Sequence, residues 1–364
     1  MKKSTRNATG EHLKKSALVA IGIDLGDRIS QYVALDDRGE QLFEGRVPTT
    51  AAAFQARFGS LGPTTVAIET STHSPWVSRL LSQLGHRVVV ANSRKLRLIY
   101  ENRNKNDRID AEYLARLVRL DPKLLAPVEH RSETAQQHVA VLRAREVLVR
   151  TRSRTIGHVR GAVKSVGMRV PSCSAEAFVK RASPVIPPLL EPALRPLLKM
   201  LEQLNTQLAT FDRQIERLAQ DTYPEAKLLT QITGVGPLTA VAFISTIGDR
   251  GRFTHSRTVG AWLGLVPARR ASGQSDPQQR ITKEGDGYLR HLLINCSHYI
   301  LGPFGPDCDL RRHGLAIAAR GGKNAKKRAV VAVVRKLAVL LHRLWCTGEV
   351  YEPLRNTMRR LAAA

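Results

Sequence analysis

Apolar and polar positions alternate in one rhythm at the start of this chain and in another after it. Between 17 and 48, short apolar runs are separated by polar turns: ALVAIGID, ISQYVALD and QLFEGRV, with DDRGE before the last. Period-two patterning rich in β-branched residues predicts a hairpin or meander. A helix is expected at 50–59 and a buried strand at TTVAIET (64–70). PWVSRLLSQLG (75–85) predicts a helix, with Pro75 near its first turn and Gly85 near its end. HRVVVAN (86–92) predicts a strand, followed by helical patterns at about 93–101 and 107–120. Strands that then alternate with helices indicate an α/β domain.

From about 130 the period becomes helical. AVLRAREVLVRTRSRTIGHVRGAVKSVG reads as a long helix, and SPVIPPLLEPALRP (183–196) as a Pro-rich break. LLKMLEQLNTQLATFDRQIERLAQ (197–220) follows, with Leu201, Leu204, Leu208 and Phe211 close to heptad spacing. Two such helices suit an antiparallel coiled coil, within one chain or between chains. The expected organisation is a basic tail at 1–16, an α/β domain at 17–125, a helical coiled-coil region at 126–222, a mainly helical domain at 223–355 and a tail at 356–364.

Charge narrows the function. The 364 residues include 57 Lys and Arg against 31 Asp and Glu, a net +26. Such a field captures polyanions, and nucleic acid is the natural one because each neutralised phosphate releases counterions. An inert basic surface is the plainer alternative, disfavoured by the size of the excess. Aromatics are only 5%, which argues against a base-stacking single-strand binder. Cys173, Cys296, Cys308 and Cys346 show no C-x-x-C spacing, so a zinc ribbon is not expected and a reducing cytosol suits them. No apolar run reaches the ~20 residues of a membrane span, and no signal peptide is recognisable.

Candidate chemistry lies with four acids. Asp24 ends the first apolar strand in GIDLG, and Glu69 ends the next in VAIET. Residues just past buried strands sit at the edge where open α/β sheets place their sites. Taken singly, each is as readily a plain strand terminus. Asp107 and Asp110, in NDRIDAEYLARL, share a helix face at a spacing of three. They also suit a helix's first turn, with Asp107 a candidate N-cap. As a set, two strand ends and a helix start are placed to converge on hard divalent cations, which clamp a phosphodiester during in-line displacement.

GIDLG, AIETSTHSPW and NKNDRIDAEYLARL together resemble the acidic signature of the DEDD transposases of bacterial insertion sequences, the insertion sequence 110 family. The resemblance implies a RuvC-like, RNase H-like N-terminal domain and Asp24, Glu69, Asp107 and Asp110 as ligands of Mg2+ or Mn2+. Downstream, FTHSRTVGAWLGLVPARRASGQSDPQQRITKEGDGYLRHLLINCS resembles the family's second module. It implies Ser272 as catalytic serine, with Ser275 the nearby alternative. The resemblance also implies donor and target DNA as substrates, a non-coding bridge RNA as guide, a homo-oligomer (dimer or tetramer) with no membrane partner, and a cytoplasmic, nucleoid-associated setting.

Several nucleic-acid contacts are expected around these signatures. Arg269, Arg270, Arg280 and Lys283 flank Ser272. Gly234-Val235-Gly236, between two helical patterns, resembles a helix-hairpin-helix, in which backbone N–H groups hold a phosphate; a tight Gly turn between packed helices explains it equally well. GGKNAKKR (321–328) reads as a basic loop whose Lys323, Lys326, Lys327 and Arg328 meet phosphate, or as a solvated charge run. Two other functions stay open: a Holliday-junction resolvase or nuclease that uses water, and a non-enzymatic basic nucleic-acid-binding protein.

Overall fold

The computed structural model describes residues 18–96, 106–277 and 279–362. The basic tail at 1–16 and residues 97–101 of the expected helix lie outside them. The chain divides into two compact units, 1–130 and 131–364.

The first unit is a five-stranded sheet in the order β3-β2-β1-β4-β5. β1 (Leu18–Asp24), β2 (Ile29–Asp36) and β3 (Gln41–Pro48) form the expected antiparallel meander. β4 (Thr65–Glu69) then runs parallel to β1, and β5 (Arg87–Ala91) parallel to β4. The return crossings need helices to carry the chain back along the sheet. α1 (Ala51–Phe58) precedes β4, and α2 (Ser74–Gln83) joins β4 to β5.

The two sheet faces differ in side-chain size, and that difference positions the site. Ile21, Ile23, Val66 and Ile68 pack with Phe54, Phe58, Val77 and Leu81 on one face. The other carries small residues, Ala20 and Ala67, against Leu114 and Val118 of α3 (Asp107–Leu120). Gly22 explains the close approach. A Cβ there would lie 2.0 Å from the Ala111 carbonyl oxygen and 2.4 Å from the Ala115 nitrogen. Backbone cannot yield at such distances, so only glycine lets α3 lie this close over β1.

α3 has the expected span, but its N-cap is Asn106, whose side chain accepts from the Arg108 N–H, and Asp107 is the first helical residue rather than the cap. The expected helix at 93–101 begins as a short 3-10 turn, Ser93–Lys95.

The second unit is helical. α4 (Glu133–Ser165) is the expected long helix, and α5 (Phe178–Ala182) follows it. α6 (Glu191–Arg217) starts inside the expected Pro-rich break. Pro192 falls in its first turn, where a missing N–H costs nothing; Pro196 forfeits one hydrogen bond, against which Leu194, Leu198 and Leu201 are buried. Val159 and Val163 of α4 pack with Leu198, Leu201 and Leu204 of α6, and Arg145 pairs with Asp212 at 2.6 Å. Ile215 is buried where Phe211 is only half-buried.

The main core of this unit gathers α7 (Ala226–Leu229), α8 (Pro237–Ile247), α9 (Arg257–Trp262), α10 (Gly287–Leu301) and α12 (Ala325–Thr347). α11 (Asp309–Ala318) packs along α12, and α13 (Arg355–Ala362) lies in the expected C-terminal tail. None of the described helices is long and apolar enough to cross a membrane.

His342 ties α12 to the loop before α9. Its Nε2 lies 3.1 Å from the Arg250 carbonyl oxygen and its Nδ1 2.9 Å from the Ser256 hydroxyl. A carbonyl only accepts, so Nε2 carries the proton and Nδ1 accepts from Ser256. Burial holds its pKa below the ordinary value, only partly offset by the carbonyl. The unfolded chain, with His near pKa 6.5, therefore binds more protons than the folded one as pH falls below that value. This contribution to stability is complete above about pH 6.5 and is lost as pH drops toward the lower folded pKa. Thermal unfolding should show a fall of a few degrees between pH 7 and 5 that shrinks in His342→Gln; an unchanged pH dependence in that variant would assign the fall to other groups.

Candidate active site

β1 and β4 place two acids side by side. Ile23 pairs in register with Ile68, so Asp24 and Glu69 are the next residues on neighbouring parallel strands, roughly 4.8 Å apart. Alternation assigns their faces. Ile23 and Ile68 point to the face of α1 and α2, so Asp24 and Glu69 fall on the α3 face.

The direction of α3 completes the arrangement. Near its C-terminal end, Arg119 donates to the Asp37 carbonyl oxygen at 3.0 Å, by the turn after β2 where β1 begins. Near its start, Arg108 pairs with Glu44 at 3.1 Å, halfway along the sheet. The helix thus runs against β1, and its N-terminus reaches the edge where Asp24 and Glu69 end their strands. Asp110 is buried there, one residue before Ala111, which lies on Gly22; Asp107, one turn earlier, is exposed. All four acids share one edge and one face. Among the described residues, no three His, Cys, Asp or Glu side chains stand close enough to form a ready metal-binding group.

Sequence reasoning overlooked a neighbour of this edge. In the turn after Glu69, the Trp76 indole N–H donates to His73 Nδ1 at 3.1 Å. Nε2 therefore carries the proton of the neutral ring and faces Asp27, 3.6 Å away, in the turn after Asp24. The spacing His73-x-x-Trp76 at a helix start was the available signal.

Ser272 belongs to the second unit, at the tip of a hairpin arm. The arm is paired by backbone bonds from Lys283 N to Gly264 O (3.1 Å), Thr282 N to Val266 O (3.0 Å) and Ala268 N to Arg280 O (2.8 Å). At the tip, Ser272 and Ser275 exchange both backbone bonds, at 2.9 and 3.0 Å. The two-residue turn between them begins with Gly273 at φ +55°, a conformation glycine adopts without strain. Both serines are exposed. Arg269 pairs with Asp276 at 3.4 Å, and Arg269, Arg270, Arg280 and Lys283 are exposed along the arm.

The root of the arm is held by a residue that sequence reasoning passed over. Asp286 caps α10, accepting from the N–H groups of Tyr288 and Leu289 at 3.0 and 2.9 Å. It also accepts Arg143 of α4 at 2.8 Å and Arg131 at 3.2 Å. Arg143 stacks on the Tyr288 ring, 4.6 Å from its centre. Burial lowers the Arg131 pKa, with Asp286 opposing the shift. Asp286 before an apolar run carries a helix-cap signal; its two arginines are distant in sequence and carry none.

Gly234 and Gly236 lie in the turn between α7 and α8. Gly234 has φ +95°, and a Cβ there would come 2.9 Å from the Tyr299 ring. Gly236 caps α8 and faces open space, followed by Pro237 at the first helical position. The 321–328 stretch is only half loop: α12 starts at Ala325, so Lys326, Lys327 and Arg328 stand in its first turn and only Lys323 precedes it. All four are exposed. Helix-forming Ala and Lys residues extend the helix backwards over the expected loop.

Comparison with known proteins gives two separate matches, the first of which runs past the boundary between the units into α4. Residues 21–168 match the family model of the IS110-type DEDD transposase, and residues 226–304 that of the transposase IS116/IS110/IS902 family. The chain is 30% identical over 283 residues to the transposase for insertion sequence element IS1328 of Yersinia enterocolitica, covering 76% of this chain and 82% of that one. It is 28% identical to a probable family 20 transposase of Pseudomonas aeruginosa, over 92% of this chain and 99% of the relative. It is 27% identical to the transposase for insertion sequence element IS1111A of Coxiella burnetii, over 91% and 90%. By two family models on separate segments and by these relatives, the chain belongs to the IS110 family of insertion-sequence transposases.

Proposed function

We propose that this protein cuts and rejoins DNA for an insertion sequence, using a divalent-metal carboxylate site and a serine nucleophile. The observation that carries the reading is the shared edge and face of Asp24, Glu69, Asp107 and Asp110. The strand order 3-2-1-4-5, with a helix laid on β1, supports an RNase H-like, RuvC-like frame.

The donor set fits Mg2+ or Mn2+: four carboxylates, hard oxygen ligands, with no thiolate or imidazole needed. Like charges at one edge repel, so these side chains would close together only with a cation between them. When bound, the metal would polarise the scissile phosphate and stabilise charge on the attacking and leaving oxygens.

Ser272 then supplies the covalent step. Its Oγ loses a proton and bonds to phosphorus; one bridging oxygen of the phosphodiester leaves and takes up a proton. The product is a phosphoserine link that keeps the bond for rejoining. A hydroxyl end of another strand attacks the same phosphorus and releases the serine. Arg270, Arg280 and Lys283 offset the charge on the phosphate. Guidance by a bridge RNA and assembly of several copies complete the reading. The net charge of +26 supports a nucleic-acid partner, and guide pairing by RNA would leave the protein to hold backbone rather than read bases.

Metal removal tests this directly. Cleavage of DNA carrying the element's own ends, with the adjoining non-coding transcript supplied, should stop in a chelator and return with Mg2+ or Mn2+. Cleavage that persists in the chelator would overturn the carboxylate-metal assignment.

A further inference from the structure

The second unit holds a cavity of about 1330 Å³ along one face of α12. That exceeds the roughly 300–1,000 Å³ of small-molecule pockets. Its wall follows helical spacing: Lys327, Val331, Arg335 and Val339 recur every fourth residue, as do Arg328, Ala332, Lys336 and Leu340. Arg320 and Arg257 add charge from α11's end and from α9. Pro267, Arg280, Ile281 and Lys283, at the root of the serine arm, line the same cavity.

Cations outnumber acids here: ten Lys and Arg line the cavity against Asp309, Glu349 and Glu352. Glu349 is engaged by Arg343 and Arg355, and Asp309 accepts from Asn356 and Thr357. Among the described residues, no ion pair engages Arg257, Arg320, Lys327, Arg335 or Lys336. Lys327 and Arg328 also add cations to the positive dipole end of α12, an arrangement that favours an anion there.

Cations alone would suit any phosphate backbone. The aliphatic floor is the discriminating feature: with aromatics scarce, base faces would meet Val331, Val339 and Leu340 by apolar contact rather than by ring stacking. A duplex turns its phosphates outward and hides its bases, whereas an unpaired strand presents phosphates and base faces together. A second copy of this chain, itself at +26, offers this cationic surface no net opposite charge, whereas a nucleic-acid strand does.

We propose that this groove seats an unpaired DNA strand and leads it to the serine arm. The assignment to DNA rests on the function proposed above, because the groove is partly walled by the root of the arm whose tip serine would attack DNA. The strand's phosphates meet Lys327, Arg335 and Lys336, and its bases lie on Val331, Val339 and Leu340.

The test is binding by the full chain, without divalent metal, so that failure of the cleavage chemistry does not affect it. The probes are one labelled sequence as single-stranded DNA, duplex DNA and RNA. The groove variant is Arg335→Gln with Lys336→Gln, which keeps the aliphatic stems; the control, with equal charge loss elsewhere, is Lys199→Gln with Arg213→Gln. The groove variant should weaken single-stranded DNA binding about tenfold and lower the salt slope by about 1.4, as expected for two lost phosphate contacts at ~0.7 each. The control should change it less than about threefold, and duplex binding should respond alike to both. Equal effects of groove and control variants, losses confined to duplex or RNA, or a change only in oligomeric state would each overturn the proposal.

Discussion

Replacing Asp110 by asparagine is expected to abolish strand cleavage, by about a thousandfold or more, while DNA binding is kept or slightly strengthened. Asparagine has the same shape, so α3 should keep its contact with Gly22 and the unit should stay folded. The carboxylate charge is lost at a buried position beside the strand ends. A cation site deprived of one anionic oxygen ligand holds its metal less well and stabilises the transferring phosphate less. Binding moves the other way because an acid facing a polyanion is removed. Gel-based cleavage and a metal-free binding titration on the same preparation separate the two effects. Cleavage within about tenfold of the parent protein would remove Asp110 from the site. Unchanged cleavage in Asp24→Asn as well would move the chemistry away from these acids, whereas no metal-dependent cleavage by the parent protein, with binding intact in both variants, would favour a basic nucleic-acid binder without catalysis.

Ser272→Ala carries the second large effect. The covalent protein–DNA species, seen on a denaturing gel, should vanish and rejoining should fall about a thousandfold or more. Ser275→Ala should stay within about tenfold. The comparison is clean because the tip is held by backbone bonds between these two residues and by Gly273, none of which involves a hydroxyl. Either substitution therefore leaves the arm's shape intact. If the Ser272 variant still cuts but forms no adduct, water is the nucleophile and the protein acts as a nuclease or resolvase. If only the Ser275 variant fails, the nucleophile sits on the other side of the turn.

Short-range order was legible in the chain. β1 to β5 arise from runs such as VAIGID and RVVVA, where alternation and β-branching act over a few residues, and α3 starts where Asn106 caps it. The acids stood out because Asp24 and Glu69 end apolar runs, and Asp107 and Asp110 share a helical spacing. Misjudged boundaries came from local rules that tertiary packing overrode. Pro196 is tolerated inside α6 because Leu194, Leu198 and Leu201 are buried there; the start of α12 at Ala325 is a different case, in which the local helix propensity of Ala and Lys outweighs charges that suggested a loop.

Local pattern along the chain marked the candidate residues for chemistry and the elements that carry them. Which face and which end they share was set by strand register and helix packing. The in-register pairing of Ile23 with Ile68 turns two isolated strand termini into neighbours, and the missing side chain at Gly22 lets α3 bring Asp110 to the same edge. Asp286 gathers Arg131 and Arg143 from far along the chain, and the cationic groove unites α9, α11, α12 and the arm. Contacts of that kind depend on strand register and helix packing, which pattern along a single chain does not encode.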